Sequence, residues 1–248
     1  MAFLTIDIGN TRVKLAAMAS YQVLSRWECP LADLEKVLEE LILEQGHRFE
    51  KIGWISVGKE INITDWMLWE KLPTRPQLVA IDHHTQWPIS HQYDTPETLG
   101  TDRIVAVIGA LQMVEAQPVL VIDAGTAITY DCARADGTYL GGAIGPGMSM
   151  RFKALHEFTA RLPLIEPSED VELIGKSTLK SIQSGVIQAM TAEISGMIEA
   201  YRGQLGTDMV VFLTGGDGPF FEKRLKNINF ATSSIIHTGI NHILKLSL

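Results

Sequence analysis

Two short stretches hold residues suited to gripping a phosphorylated ligand. LTIDIGNT spans Leu4 to Thr11 and LVIDAGTA spans Leu120 to Ala127, and each reads as an apolar run, then Asp-x-Gly, then a small polar pair. Asp7 and Asp123 therefore stand at matching places 116 residues apart. A β-run ending in Asp-x-Gly projects a carboxylate at a turn, and the glycine lets backbone N–H groups approach an anion that a side chain would block. Two such turns facing each other make a clamp for metal-bound phosphates. Phosphoryl transfer needs this arrangement, because it asks for a triphosphate held in line with its nucleophile and neutralised, with little covalent help from the protein. The spacing points to Asp7 as a holder of Mg²⁺, directly or through water, since Mg²⁺ keeps several waters and takes one or two carboxylates. By spacing alone Asp123 would serve Mg²⁺ too. Gly9, Asn10, Thr11 and Thr126 would cradle phosphates through backbone and hydroxyl donors, with Lys14 adding positive charge. One Asp-x-Gly by itself reads better as a hairpin turn; two copies in matching contexts reverse that preference.

A second constellation is Asp102 followed by Arg103, an acid beside a fixed cation directly after Gly100-Thr101. A carboxylate there can accept a proton from an attacking hydroxyl, although a helix N-terminus lowers its basicity. The plain alternative is a first-turn helix residue with a surface ion pair.

The elements that must carry these residues follow from periodicity. Phe3–Ile8, Val13–Met18 and Tyr21–Trp27 are β-rich runs broken by Gly9-Asn10 and Ala19-Ser20, the pattern of an antiparallel meander. Leu31, Leu34, Val37, Leu38, Leu41 and Ile42 predict an amphipathic helix, with Pro30 at its start and Gly46 after its end. A strand at Lys51–Val57, a helix near Thr64–Lys71 and a strand at Gln77–Ile81 complete an order typical of parallel crossovers. The polar stretch 82–100 is a surface loop; its His83, His84 and His91 have no fourth ligand at zinc-like spacing. A helix follows, with Ile104, Val107, Ile108 and Leu111 on one face and Thr101 and Asp102 in its first turn.

The second half repeats the plan: strands at Val119–Ala124 and Ala127–Ala133, a turn and short strand at Gly137–Gly141, the glycine-rich GGAIGPG, and a helix at Met148–Phe158. A long helical stripe runs from Leu179 to Tyr201, then come a strand at Met209–Leu213, the turn TGGDG and a short closing helix from Asn241. The halves divide at 1–116 and 117–248, with a hinge near Glu115–Pro118.

Composition sets bounds. Twenty-one lysines and arginines against 29 acids give a formal charge of −8, which argues against an extended nucleic-acid or membrane surface. Cys29 and Cys132 form neither a CxxC pair nor a disulfide framework, so a reducing compartment fits. MAFLTIDIGN has no basic leader and no apolar run is long enough to span a bilayer, so the expectation is a cytoplasmic protein. Two tempting motifs fail: Gly175-Lys176-Ser177 ends like a P-loop, but Asp170 stands where that pattern needs glycine, and the DAG turn lies between strands, which does not suit a dinucleotide fold.

Taken together, the chain resembles type III pantothenate kinases, grouped with Bvg accessory factor proteins in the acetate and sugar kinase, heat-shock ATPase and actin superfamily. DIGNTRVK (Asp7, Ile8, Gly9, Asn10, Thr11, Arg12, Val13, Lys14) is similar to the family's ATP phosphate-binding motif, and LGTDR at Leu99–Arg103 to its substrate motif. DAGTAITYD at Asp123–Asp131 resembles its second phosphate and cation motif, and GGAIGPG and TGG its later glycine turns. The resemblance implies an α/β, duplicated actin-like (ribonuclease H-like) ATPase fold, two βββαβα-type halves with the active site in the cleft between them. It also implies ATP-dependent phosphorylation of pantothenate, the first step of coenzyme A biosynthesis. Asp102 becomes the proton acceptor, Tyr93, Gly100, Thr101, Asp102, Arg103 and Thr178 the substrate contacts, and Thr126 an ATP contact. Asp123 becomes the ligand of a monovalent cation, K⁺ or NH₄⁺, which displaces the Mg²⁺ reading from spacing. Members are homodimers, which would also account for the apolar stripe from Leu179 to Tyr201. Thr101 and Thr95 depart from common family residues and affect only loop detail. Two rivals remain: a kinase of another small hydroxy or carboxylate metabolite on the same fold, and a non-catalytic nucleotide-binding regulator, which should lack the Asp102–Arg103 pair.

Overall fold

The chain begins with three strands, β1 (Phe3–Ile8), β2 (Val13–Ala19) and β3 (Gln22–Cys29), joined as the expected antiparallel meander. Alternation decides their faces: Leu4, Ile6 and Ile8 of β1 and Val13 and Leu15 of β2 enter one core, while Thr5 and Asp7 point to the other side. The computed structural model describes residues 2–9, 12–44, 48–57 and 61–247. Asn10, Thr11 and the expected helix stop Gly46 lie outside them.

A helical run follows, opening as a 3-10 turn at Leu31–Asp33, continuing as α1 (Leu34–Glu39) and widening to a π-turn at Glu40–Glu44. Leu34, Leu38 and Leu41 recur at three- and four-residue steps and are buried on the sheet. Strands β4 (Lys51–Ser56) and β5 (Gln77–Ala80) then add in parallel, giving the order β3-β2-β1-β4-β5. The helix expected near Thr64–Lys71 is only a 3-10 stretch, Met67–Lys71. The Asn62 side chain accepts from the Thr64 N–H at 2.9 Å, a local turn bond that competes with helix, and Trp69 donates to the Ile63 carbonyl at 2.6 Å. After the loop comes α2 (Thr101–Leu111), in which every residue from Arg103 to Ala110 is buried rather than one face alone.

The second half runs β6 (Val119–Ala124), β7 (Ala127–Ala133), β8 (Tyr139–Pro146) and α3 (Met148–Glu157). The glycine-rich stretch expected as a turn is strand: Gly145 and Ala143 pair opposite Ile128 and Tyr130, small residues leaving room beside large ones. Then α4 (Thr178–Gln183), a π-turn at Ser184–Gln188 and α5 (Ala189–Leu205) form one helical run. The chain continues with β9 (Val210–Thr214), α6 (Gly218–Glu222) and β10 (Phe230–Ala231). This sheet has the order β10-β9-β6-β7-β8, which read backwards is the connectivity of the first sheet, so the repeat seen in sequence is a repeat of topology. Asp7 on β1 and Asp123 on β6 occupy equivalent strands.

The helical stripe from Leu179 to Tyr201 does not stand free. Ile182, Val186, Ile187, Met190, Ile194 and Ile198 are buried with residues of β6, β7 and β9 in the unit's own core, so the stripe supplies no argument for a partner subunit.

The last helix, α7 (Ile235–Leu246), starts six residues before the expected Asn241. It also corrects the division at 116/117: the compact units are Met1–Met113 with Ser234–Leu248, and Val114–Ser233. The reason is packing, because α7 lies against α2 and β1. A Cβ on Gly109 would stand 2.0 Å from the Ile235 carbonyl oxygen and one on Gly239 2.0 Å from that of Val105, so the two helices cross backbone to backbone. Beneath them the Thr5 hydroxyl donates to the Ala16 carbonyl at 3.1 Å and so accepts from His237 Nδ1–H at 2.9 Å. Burial, with the charges of Arg26 and Lys14, pushes that imidazole down to about 3 and keeps it neutral. Among the described residues no helix is long and apolar enough to cross a membrane.

Candidate active site

In the first unit the site residues gather at the C-terminal end of β1 and the start of α2. Asp7 is paired in register with Lys14 of β2. Its carboxyl is raised from 3.8 to about 6, chiefly by burial, opposed by the Lys14 ammonium and reinforced by the like charge of Asp102. Two carboxylates that repel each other in a desolvated corner form a place that favours a cation, and Asp7 is the residue that could hold one there.

Gly9 donates its N–H to the Arg12 carbonyl at 3.1 Å, closing the turn after Asp7. Of the neighbouring motif residues, Ile8 and Val13 are fully buried core side chains, so only their backbone is available to a ligand. Arg12 is exposed and paired with Glu28 at 3.0 Å. Asn10 and Thr11 lie outside the described residues.

Asp102 sits in the first turn of α2, its Oδ1 accepting from the Arg103 N–H at 3.0 Å; the Gly100 carbonyl accepts from the same N–H at 3.1 Å. A Cβ on Gly100 would be 2.7 Å from Asp102 Oδ1, so the carboxylate folds over a bare backbone. Thr101, between them, is half-buried. Arg103 is only 7% exposed, and its Nη1 reaches the Tyr93 hydroxyl at 3.4 Å while its guanidinium lies 5.8 Å from the centre of that ring. The loop residue and the helix residue expected to share a substrate are therefore brought together.

In the second unit Asp123 is the penultimate residue of β6, beside the turn after β9. Gly215 has φ +93°, a conformation open to glycine, and a Cβ there would fall 2.4 Å from Asp123 Oδ1 and 2.3 Å from the Ala124 carbonyl. The bare backbone of Gly215 thus leaves the Asp123 carboxylate and the Ala124 carbonyl oxygen close against the turn. Thr126 is exposed at the tip of the DAGT turn. Thr178 is exposed in the first turn of α4, whose N-cap Ser177 accepts from the Lys180 N–H at 3.3 Å.

Sequence reasoning missed the groups that brace this turn. Gly147 donates to the Thr126 carbonyl at 3.1 Å, and Arg151, Glu193 and Tyr130 form a polar cluster beside it. Asp217, whose N–H bonds the Ala124 carbonyl at 2.8 Å and whose carboxyl is raised by burial, joins the same region. The Gly145-Pro146-Gly147 stretch just before Arg151 was a signal for part of this; nothing in the sequence joined Glu193 to it.

The fold is that of the actin-like ATPases, a duplicated α/β fold with two mixed sheets of five strands each. It matches a Baf family transcriptional activator from Campylobacter jejuni with TM-score 0.61, 23% identity and 98% of each chain covered. A glucokinase from an Antarctic psychrotroph matches with TM-score 0.54, 14% identity and 99% of each chain covered. The family model described as type III pantothenate kinase matches residues 3–200, and a type III pantothenate kinase of Phocaeicola vulgatus is 45% identical over 241 residues, 97% of each chain. The chain belongs to the type III pantothenate kinase family.

Proposed function

We infer that this protein transfers the γ-phosphate of ATP to the terminal hydroxyl of pantothenate, giving ADP and 4′-phosphopantothenate and opening coenzyme A synthesis. Family membership across 97% of the chain supports the reaction, and the observation that carries the site is the convergence of Asp102, Arg103 and Tyr93. In this reading the Asp102 carboxylate takes the hydroxyl proton as the oxygen bonds to the γ-phosphorus and the bond to ADP's β-phosphate oxygen breaks. The Arg103 guanidinium, backed by Tyr93, pairs with the pantothenate carboxylate and orients the hydroxyl; Gly100, Thr101 and Thr178 complete the substrate contacts.

Asp7 would hold Mg²⁺ through phosphate or water, with residues 8–14 and Thr126 binding the phosphates. Asp123 would hold K⁺ or NH₄⁺, whose charge offsets that of the nucleotide. Two copies associate: Phe158, Leu164, Leu173 and Ile174 of the second unit, 52–86% exposed, are the apolar side chains that a second copy would cover. The free, buried Cys29 and Cys132 support a reducing, cytoplasmic setting.

The test is an ADP-release assay with and without pantothenate, product identity being checked by mass. ADP release that depends on pantothenate and yields a phosphorylated product is expected; release independent of it, or specific to another hydroxy acid, would refute the assignment.

A further inference from the structure

The turn at Gly125–Thr126 is held from behind by a contact that tolerates no side chain. A Cβ on Gly147 would lie 2.2 Å from the Gly125 carbonyl oxygen and 2.4 Å from that of Thr126, so a shift of Gly147 is a shift of the turn. One residue earlier, the Pro146 carbonyl accepts from Arg151 Nε at 2.8 Å. The far side of that guanidinium is taken by Glu193 of α5, with Nη2 3.0 Å from Oε1 and 2.8 Å from Oε2. The Tyr130 hydroxyl on β7 donates to the same Oε1 at 3.4 Å, and burial together with the Glu193 charge raises that phenol, so it stays a donor. One carboxylate thus ties β7, α3 and α5 to the carbonyl that precedes Gly147. The Arg151 and Glu193 side chains are 19% and 35% exposed, which leaves the pair only partly screened by solvent.

We propose that Glu193 is a positioning residue for nucleotide phosphate: through Arg151 and the Pro146 carbonyl it fixes Gly147 and hence the Gly125–Thr126 turn. The inference rests on the reading of Thr126 as an ATP contact and deepens it. A link serving stability alone could end anywhere along β8; this one ends on Pro146, next to the Gly147 that abuts the turn.

The test compares wild type with Glu193→Gln and Arg151→Lys, using the KM for ATP, the KM for pantothenate, kcat, the melting temperature and titration with a fluorescent ATP analogue without pantothenate. Each variant is expected to raise the KM for ATP and weaken the analogue on the order of 10-fold, the range typical for losing a group that orients a ligand-binding one. kcat and the KM for pantothenate should stay within about twofold, because binding rather than the chemical step is altered. The double variant should cost no more than the worse single, since the two act as one unit. Arg151→Lys keeps the charge but loses the Nε donor, and carries the test if Glu193→Gln does not fold. An unmoved KM for ATP, or an equal rise in both KM values, overturns the proposal. If wild type binds the analogue but does not phosphorylate pantothenate, the functional reading fails while the analogue titration still tests the positioning.

Discussion

Asp102 and Asp7 are both carboxylates of the first unit, yet their surroundings give them different tasks. Asp102 lies over Gly100 in the first turn of α2, and in the proposed reaction it would take the proton of the substrate hydroxyl. Asp102→Asn should lower turnover about 10²- to 10⁴-fold, the usual contribution of a positioned base, while a fluorescent ATP analogue still binds; wild-type turnover in that variant would remove Asp102 from its role. Asp7 is held at about 6 by burial and by Asp102, above its ordinary 3.8. The folded state therefore binds the proton more tightly than the unfolded chain, and ligand-free stability falls as pH rises from 3.8 to about 6 and stays lowered above it. Asp7→Asn should stabilise the ligand-free protein at pH 8 by on the order of 3 kcal/mol, a gain that vanishes below pH 4, while abolishing metal-dependent transfer. Equal melting of the two proteins at pH 8 would contradict this. For Asp123 the readout is the cation: rates should rise in potassium or ammonium over sodium, and Asp123→Asn should erase the difference. Equal wild-type rates in the three salts would count against a cation at that residue.

At the scale of elements, the site of the first unit depends on how α2 is seated, and α2 is seated by α7. The crossing of Gly109 and Gly239 leaves no room for a methyl group, since the nearest atoms to either added Cβ are backbone. Gly109→Ala should cost about 3 kcal/mol or more through overpacking, and because α2 carries Asp102 and Arg103, activity should fall before the chain unfolds; chemical denaturation alongside kinetics checks both. A variant as stable and active as wild type would mean the helices can part without consequence. Strands β1, β2, β6 and β7 were readable because each is a short β-rich run bounded by turn residues. The 3-10 stretch at Met67–Lys71 was not, because Asn62 and the buried Trp69 decide it through specific hydrogen bonds rather than through periodicity.

At the scale of the molecule, the proposed reaction asks a chain of charge −8 to recruit anionic substrates through a few local cations, and Lys14 and Arg103 of the first unit would supply them. Self-association is testable at the exposed apolar pair Leu173 and Ile174: changing both to aspartate should halve the mass seen by light scattering, whereas an unchanged mass, or a monomeric wild type, would refute the proposed dimer. The sequence by itself determined the duplicated Asp-x-Gly turns and the order of most strands, since each is written within a few consecutive residues whose spacing matches the backbone period. Only the tertiary structure decided that Ser234–Leu248 returns to the first unit, that His237 meets Thr5 across 232 positions, and that Glu193 reaches Arg151 across 42. Such pairings depend on which surfaces exclude water together when the chain closes, and no local pattern records that choice.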